Sequence, residues 1–209
     1  MDKTEQFVQI VLAAGESKRM GRPKSLLEFG GLPLLRRVVD AAQGAGVTHT
    51  IVVLGPGGSA TPARVDLLDR SVAWVTNPVL GSPQLASLQC ALEALPKTAA
   101  WFLFQPVDYP LVTATDYRLL LDAASAPGAD TVFFLSHGRR KGHPVLCRRS
   151  VGSRLLELGP ESSARDVLSA EQCRYVSTEN DGVLEDMDRP EDYERLKRTF
   201  AQRREGKGT

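Results

Sequence analysis

The sequence has 209 residues, 42% hydrophobic and 24% charged, a size and composition typical of one globular domain with a substantial core. Its 26 basic and 25 acidic residues leave a formal net charge of +1, which argues against nucleic-acid or membrane-surface binding. No apolar run reaches membrane-spanning length, and three cysteines without paired spacing argue against a disulfide framework or a zinc site. We therefore expect a cytoplasmic protein that contacts neither nucleic acid nor membrane.

Apolar, β-branched runs alternate with amphipathic stretches along the chain. The runs predict seven strands, over residues 7–13, 49–55, 72–77, 100–108, 130–136, 143–149 and 173–178. The amphipathic stretches predict helices over residues 33–46, 85–95, 113–125 and 190–202. Alternating strands and helices require crossover connections, which favours an α/β fold with a mainly parallel sheet covered by helices on both faces.

The alternation changes after about residue 137, where we expect an antiparallel or edge elaboration of the sheet. We predict a single domain over residues 1–200. Residues 201–209 have no apolar side chain after Ala201, so we predict a disordered basic tail there.

The loop after the first strand, "LAAGESKRMGRPKSLL" at residues 12–27, is the strongest candidate for a ligand site. In open α/β sheets, ligands bind beyond the carboxyl ends of the strands. The small residues 13–15 allow backbone N–H groups to approach an anion closely, and Arg19 and Lys24 add charged donors. The pattern predicts a polyphosphate-binding loop; the alternative is a basic surface loop whose charges are only solvated.

The spacing within this loop excludes two better-known phosphate-binding motifs. Gly21 is followed by Arg-Pro-Lys rather than by the Lys-Ser or Lys-Thr of a Walker A loop. A dinucleotide fingerprint opens directly into a helix, whereas Pro23 and the following turn delay the first helix until about residue 33. The loop is therefore long, and we expect it to wrap around its ligand.

Two acidic segments are candidates for a Mg²⁺ site. Asp108 ends the apolar strand in "FLFQPVDYPLV" and should project from the same rim as the loop. Asp186 and Asp188 alternate on the extended segment "EDMDRP", so both can face one cation. The alternatives are a turn or N-cap role for Asp108 and a helix-dipole role for the acids that precede the last helix.

Six segments in this order resemble the MobA-like nucleotidyltransferases, specifically the molybdenum cofactor cytidylyltransferase branch. They are "LAAGESKRMGRPKSLL", "NPVLGSPQLASLQCAL", "QPVDYPLV", "GRRKGHPVL", "SSARDVL" and "DMDRPEDY", and the match as a whole runs from about residue 8 to residue 195. The resemblance implies a Rossmann-like nucleotidyltransferase fold. It also implies an enzyme that uses CTP and Mg²⁺ to attach CMP to the terminal phosphate of molybdopterin cofactor, with release of pyrophosphate.

The resemblance further implies roles for individual residues. The nucleotide would be bound by Leu12, Ala13, Ala14, Gly15, Arg19, Lys24, Asn77 and Ser87. Lys24, Arg19 and Asp108 would be catalytic, and Asp108 would hold the metal together with Asp188 or Asp186. His143 and Arg165 would contact the molybdopterin-type acceptor.

Several alternatives stay open at this point. The sister branch uses GTP and begins with LAGG, whereas Ala14 in LAAG resembles the CTP users. The acceptor could instead be a sugar or alditol phosphate, since one fold serves many acceptors. From another class, the chain could be a nucleotide-binding accessory protein of a molybdoenzyme, which would then be its partner. Lys24 and Asp108 favour the enzyme, because a pure binding protein has no evident need for a metal-holding strand end.

Overall fold

A seven-stranded sheet forms the centre of the structure, a computed structural model that describes residues 6–58, 71–159 and 162–205. Its strands are β1 (Gln6–Ala13), β4 (His49–Leu54), β5 (Val72–Thr76), β6 (Ala99–Pro106), β7 (Val132–His137), β8 (Arg140–Arg148) and β9 (Cys173–Ser177). A separate two-residue hairpin pairs β2 (Glu28–Phe29) with β3 (Leu32–Pro33). The large sheet has the order β5-β4-β1-β6-β8-β7-β9, and only β8 pairs with its neighbours in the antiparallel sense. The predicted mainly parallel sheet of about seven strands is confirmed.

Helices cover both faces of this sheet, as predicted. They are α1 (Leu34–Gly44), α2 (Gln84–Glu93), α3 (Ala114–Ser125), α4 (Arg149–Leu156), α5 (Ala164–Ala170) and α6 (Pro190–Glu205). Buried residues of α2, α4 and α5 pack on the β1 face that carries Val8 and Ile10. Buried residues of α1 and α6 pack on the opposite face with Val11, and α1 and α3 share a further cluster with Trp101. None of the helices in the described ranges has the length and apolar character needed to cross a bilayer.

The region after residue 137 has the antiparallel pairing that was one of the two expected alternatives, but β8 does not lie at an edge of the sheet. β8 is a nine-residue strand that lies inside the sheet, between β6 and β7, and is not at an edge. It returns from β7 through Gly138 and Arg139, which both have positive φ, as a two-residue hairpin turn requires. Helices α4 and α5 follow it along the chain. Val145, Leu146 and Cys147 are buried, so apolar packing on both faces explains why β8 occupies the interior.

The prediction of a disordered tail from residue 201 is wrong for residues 201–205, because α6 continues to Glu205. Phe200 anchors this last part of the helix, with its ring 5.3 Å from that of Phe29 between centroids. Arg203 adds a hydrogen bond from Nη1 to Asn180 Oδ1 at 2.7 Å. Arg203, near the end of α6, therefore has a specific acceptor. Residues 206–209 lie outside the described residues.

Strand register brings three loops together at one edge of the sheet. Leu12 of β1 is level with Val53 of β4 and with Pro106 of β6. Because the three strands are parallel, the segments that follow them leave the sheet side by side. The loop after β1, the glycine-rich segment 55–58 and the segment around Asp108 are consequently neighbours.

Candidate active site

A cavity of about 410 Å³ lies at this edge of the sheet. Its lining includes residues 12–19 of the β1 loop, Lys24, residues 106–108 and Asp188. A smaller cavity of about 250 Å³ shares residues 13–16 with it and extends to residues 55–58. The small residues 13–15 thus border both cavities.

The β1 loop is folded by two short 3₁₀ turns, Lys18–Met20 and Lys24–Leu26. Ser17 precedes the first turn with φ of 51°, a left-handed conformation that costs a non-glycine residue on the order of 1 kcal/mol. Its Oγ accepts a hydrogen bond from the backbone N–H of Lys24 at 3.1 Å. This contact closes the loop on itself and places Lys24 at the cavity.

Lys24 joins two carboxylates from distant parts of the chain. Its Nζ donates to Asp108 Oδ2 and to Asp188 Oδ1, each at 2.7 Å, and its side chain is only 12% exposed. Burial lowers the pKa of Lys24, but the hydrogen bonds and charges of the two aspartates outweigh it, so the pKa is raised above its ordinary value of 10.5. Lys24 therefore remains an ammonium ion at physiological pH.

Asp188 is the more exposed of the two carboxylates, and Arg19 lies beside it. Arg19 Nη1 is 3.4 Å from Asp188 Oδ2, and its side chain is 69% exposed. The hydrogen bond from Lys24 lowers the pKa of Asp188, and the charge of Arg19 acts in the same direction. The predicted catalytic residues Arg19, Lys24 and Asp108 are thus brought together at one side of the cavity.

The carboxylate pair fits a divalent cation. Asp108 Oδ1 is buried and has no hydrogen-bond partner within the described residues. Buried polar atoms without a partner are rare, and this oxygen could bind a ligand. In those ranges no three acidic, histidine or cysteine side chains form a metal-holding group. Asp108 and Asp188 would accordingly share a cation with water or phosphate oxygens, the environment that Mg²⁺ prefers.

Asp186 is placed differently from Asp188. It does not line either cavity, and no hydrogen bond links it to Lys24. Burial raises its pKa, and the negative charges of Asp188 and Asp108 add to this effect. The charges of Asp108 and Asp188 therefore affect the pKa of Asp186, but Asp186 does not share their hydrogen bonds with Lys24.

Asn77 and Ser87 were both predicted to contact the nucleotide, but only Ser87 lines the cavity. Asn77 is buried behind it, with 1% of its surface exposed. Its Nδ2 donates to Ser82 Oγ at 2.7 Å and to Ser87 Oγ at 2.9 Å. Ser82 also lines the cavity, although the sequence analysis did not indicate a role for its hydroxyl.

His143 and Arg165, predicted to contact the acceptor, line neither cavity. The His143 ring packs on Tyr109 with 4.5 Å between centroids, and its Nδ1 is buried without a partner in the described part of the chain. Burial lowers the pKa of His143 to about 4. Arg165 is exposed in the first turn of α5. Their contact with an acceptor stays a prediction.

The glycine-rich segment 55–58 borders the smaller cavity, although the sequence analysis gave it no binding role. A Cβ on Gly55 would lie 2.7 Å from the carbonyl oxygen of Ala14, so only glycine allows the two loops to approach this closely. Its position straight after a parallel strand was the signal available in the sequence. Glu16 and Ser25 of the predicted loop also line the main cavity, and Gln84 lines it without any sequence signal.

Comparison with known proteins identifies the family. The MobA-like NTP transferase domain matches residues 9–176. The chain belongs to this family. Its predicted membership of the MobA-like proteins and its predicted class, a nucleotidyltransferase enzyme, are confirmed.

Two curated relatives illustrate the range of this similarity. The bifunctional protein GlmU of Aromatoleum aromaticum is 32% identical over 181 residues, which cover 84% of this chain and 36% of the relative. A probable molybdenum cofactor guanylyltransferase of Synechococcus elongatus is 37% identical over 106 residues, covering 50% of this chain and 51% of the relative. The chain thus spans only about a third to a half of the length of these relatives.

Solved structures confirm the fold over nearly the whole chain. The homologue of Mycobacterium tuberculosis Rv0371c from Mycobacterium sp. strain JC1 is 29% identical with a TM-score of 0.79, covering 94% of this chain and 97% of that one. Rv0371c of M. tuberculosis H37Rv in complex with manganese is 26% identical with a TM-score of 0.74, covering 91% and 97%. The predicted nucleotidyltransferase fold is confirmed.

Proposed function

We propose that this protein transfers CMP from CTP to the terminal phosphate of a molybdopterin-type cofactor and releases pyrophosphate. The observation that carries the proposal is the meeting of Lys24, Asp108 and Asp188 within 2.7 Å contacts beside a cavity formed by the β1 loop. That arrangement offers cationic donors and a carboxylate pair to one polyphosphate. Mg²⁺ bound by Asp108 and Asp188 would neutralise negative charge on that polyphosphate.

The chain's own residues suit an in-line displacement. An oxygen of the acceptor phosphate forms a bond to the α-phosphorus, while the bond to pyrophosphate breaks and pyrophosphate leaves with the electron pair. No protein nucleophile is needed, so catalysis depends on alignment and on neutralising charge. Lys24 has three N–H donors and gives two to the aspartates, which leaves one for a phosphate oxygen. Arg19 and the N–H groups of residues 13–15 would contribute at the same side.

Asp188 is the better partner for Asp108 in this proposal than Asp186. Lys24 binds Asp108 and Asp188 at equal distances, whereas Asp186 lines neither cavity. The carboxylate of Asp192 fixes the backbone here, since it accepts hydrogen bonds from the N–H groups of Asp188 and Arg189 at 3.3 and 3.0 Å. The manganese complex of the related mycobacterial protein supports a divalent metal in this fold.

The choice of acceptor and the choice of nucleotide base are supported by different observations. The similarity to the Synechococcus relative, a probable molybdenum cofactor guanylyltransferase, supports the molybdenum cofactor as acceptor and makes GTP the second candidate nucleotide. The preference for CTP rests on Ala14 in the LAAG start. His143 and Arg165 are proposed acceptor contacts, a molybdoenzyme is the proposed partner, and the proposed location is the cytoplasm.

The test is to incubate the purified protein with Mg²⁺, molybdopterin cofactor and each nucleoside triphosphate in turn, and to identify the product by mass. We expect a CMP adduct and pyrophosphate. A GMP adduct would establish the second candidate, and turnover only with sugar or alditol phosphates would replace the acceptor. Nucleotide binding without any pyrophosphate would instead indicate an accessory protein.

Lys24→Met provides the variant for this assay and Lys97→Met the matched control. Lys97 is an exposed lysine outside both cavities. Loss of a preorganised charge at the site should reduce turnover by about 10²-fold or more, whereas loss of the surface charge should change it little. Equal activity of the two variants would contradict the role proposed for Lys24.

A further inference from the structure

We infer that Asn77 is a positioning residue that holds Ser82 and Ser87 as a pair of hydroxyl donors facing the nucleotide, an inference that rests on the proposed function. Both serines line the main cavity, whereas Asn77 lies behind them and is 1% exposed. Asn77 contacts both hydroxyls through the same Nδ2 atom. It can therefore act on a ligand only through the serines.

The orientation of the Asn77 amide is fixed by a backbone group. Its Oδ1 accepts a hydrogen bond from the N–H of Val79 at 3.0 Å. A backbone N–H can only donate, so the oxygen must face Val79 and the NH₂ group must face the serines. The backbone of Asn77 is held as well, since its N–H donates to the carbonyl oxygen of Leu54 at 2.8 Å.

This orientation sets the direction of the serine hydrogen bonds. Each Oγ accepts an N–H from Asn77, which occupies one lone pair and leaves the hydroxyl hydrogen free to turn elsewhere. Within the described residues, neither hydroxyl donates to a protein acceptor. The two O–H groups are thus available to hydrogen-bond acceptor oxygens of a ligand in the cavity.

The segment that carries Ser82 also approaches the β1 loop. A Cβ on Gly81 would be 3.6 Å from Glu16 Oε2, so the segment that carries Ser82 lies against the carboxylate of Glu16. Ser87 is in the first turns of α2 and is 4% exposed, which keeps its hydroxyl in place. A nucleotide offers acceptor oxygens to this pair from two sources, its phosphates and the carbonyl groups of its base.

Asn77→Asp is the decisive variant because it keeps the shape and reverses the hydrogen bonds. A carboxylate only accepts, so the serine hydroxyls would donate to it and turn their hydrogens away from the ligand. Three donors, including the Val79 N–H, would hold the carboxylate in its ionised form. Losing two donors should raise the Kd and the KM for the nucleoside triphosphate by about 10-fold or more, with a smaller change in kcat.

A double-mutant cycle separates positioning from a general effect of charge or structure. In a Ser82→Ala, Ser87→Ala background the hydroxyls are absent, so Asn77→Asp should add little to the increase in Kd. The inference is overturned if Asn77→Asp raises Kd by the same factor in both backgrounds. Should Asn77→Asp not fold, the double alanine variant alone must raise Kd about 10-fold, and an unchanged Kd there also overturns the inference.

Direct binding measurements without an acceptor complete the test. Titration with inorganic triphosphate and with the free nucleoside identifies the source of the oxygens, since Asn77→Asp should weaken only the ligand that carries them. Equal binding of both probes by wild type and variant would reject the inference while leaving the transferase proposal intact. Failure of the wild-type protein to bind any nucleoside triphosphate would reject both.

Discussion

The main cavity has two sides that recognise a ligand by different physics. On the charged side, Lys24, Asp108 and Asp188 meet at 2.7 Å, and Asp188 is 48% exposed. On the hydroxyl side, Asn77, Ser82 and Ser87 carry no formal charge, and Asn77 and Ser87 are almost completely buried. Charges act over several ångströms, whereas a neutral hydrogen bond requires a donor within about 3 Å in the right direction.

This difference predicts different kinds of sensitivity. The charged side should tolerate small displacements but not the loss of a charge, and its failure should appear mainly in the rate. The hydroxyl side should tolerate changes of surrounding charge but not a change in the direction in which its hydroxyl groups donate. Such a change should appear mainly as weaker nucleotide binding. Substitutions that keep the shape of each side therefore test the comparison most sharply.

The largest expected effect comes from Asp108→Asn, which keeps the shape and removes the charge of the less exposed of the two carboxylates that contact Lys24. We expect turnover with Mg²⁺ to fall by about 10³-fold, because the proposed metal site would lose one of its carboxylates and Lys24 would lose one of its two partners. Steady-state kinetics would measure the fall, and circular dichroism would check folding. Asp122→Asn, at an exposed position of α3, is the matched control and should be fully active. Normal turnover by a folded Asp108→Asn protein would refute the charged side as the catalytic one.

Asp188→Asn and Asp186→Asn form a matched pair two residues apart. Asp188 binds Lys24 directly and Asp186 does not, so we expect about a 10²-fold loss of turnover for the first variant and less than a 3-fold change for the second. Mn²⁺ binding in the presence of nucleotide gives an independent readout, which should weaken only for Asp188→Asn. A reversed order of the two variants would move the metal site to Asp186.

The charged side was largely predictable from the sequence. An apolar strand followed by small residues and cations indicated the β1 loop, and an aspartate at a strand end indicated Asp108. Parallel strands then place both at one edge of the sheet, so the meeting of Lys24 and Asp108 follows from topology. The choice between Asp186 and Asp188 did not follow, because it depends on how Asp192 fixes the entry into α6.

The hydroxyl side and the second half of the sheet were less predictable. The family resemblance predicted a nucleotide contact for Asn77, but its burial behind Ser87 depends on tertiary packing that no local pattern shows. Ser82 reaches the cavity through one hydrogen bond to Asn77, and no local pattern specifies that. The interior position of β8 is equally invisible, because pairing with β6 and β7 depends on contacts distant in sequence.

A smaller effect, on the pH dependence of stability, is expected at His143, whose ring packs on Tyr109. Burial lowers the pKa of His143 to about 4 from its ordinary value of 6.5. The neutral ring is therefore favoured in the folded state, and its contribution to stability is complete above pH 6.5 and lost as the pH falls towards 4. This difference corresponds to at most about 3 kcal/mol. Urea unfolding of wild type and His143→Gln from pH 7 to pH 4 should show a shallower decline in the variant, and parallel curves would contradict the buried neutral ring.

The smallest expected effect is on protein stability, which should change in opposite directions when Asp186 and Asp188 are replaced by asparagine. The raised pKa of Asp186 means that folding disfavours its ionised form, so Asp186→Asn should stabilise the protein at neutral pH. Because Asp186 is exposed and screened by solvent, we expect less than about 1 kcal/mol, and the gain should vanish below its ordinary pKa of 3.8. Asp188 has a lowered pKa, so Asp188→Asn should instead destabilise the protein at neutral pH, with the difference closing as the pH falls through the folded-state pKa. Thermal unfolding of both variants across this range would test the opposite signs. The same sign for both would mean that Lys24 does not distinguish the two carboxylates.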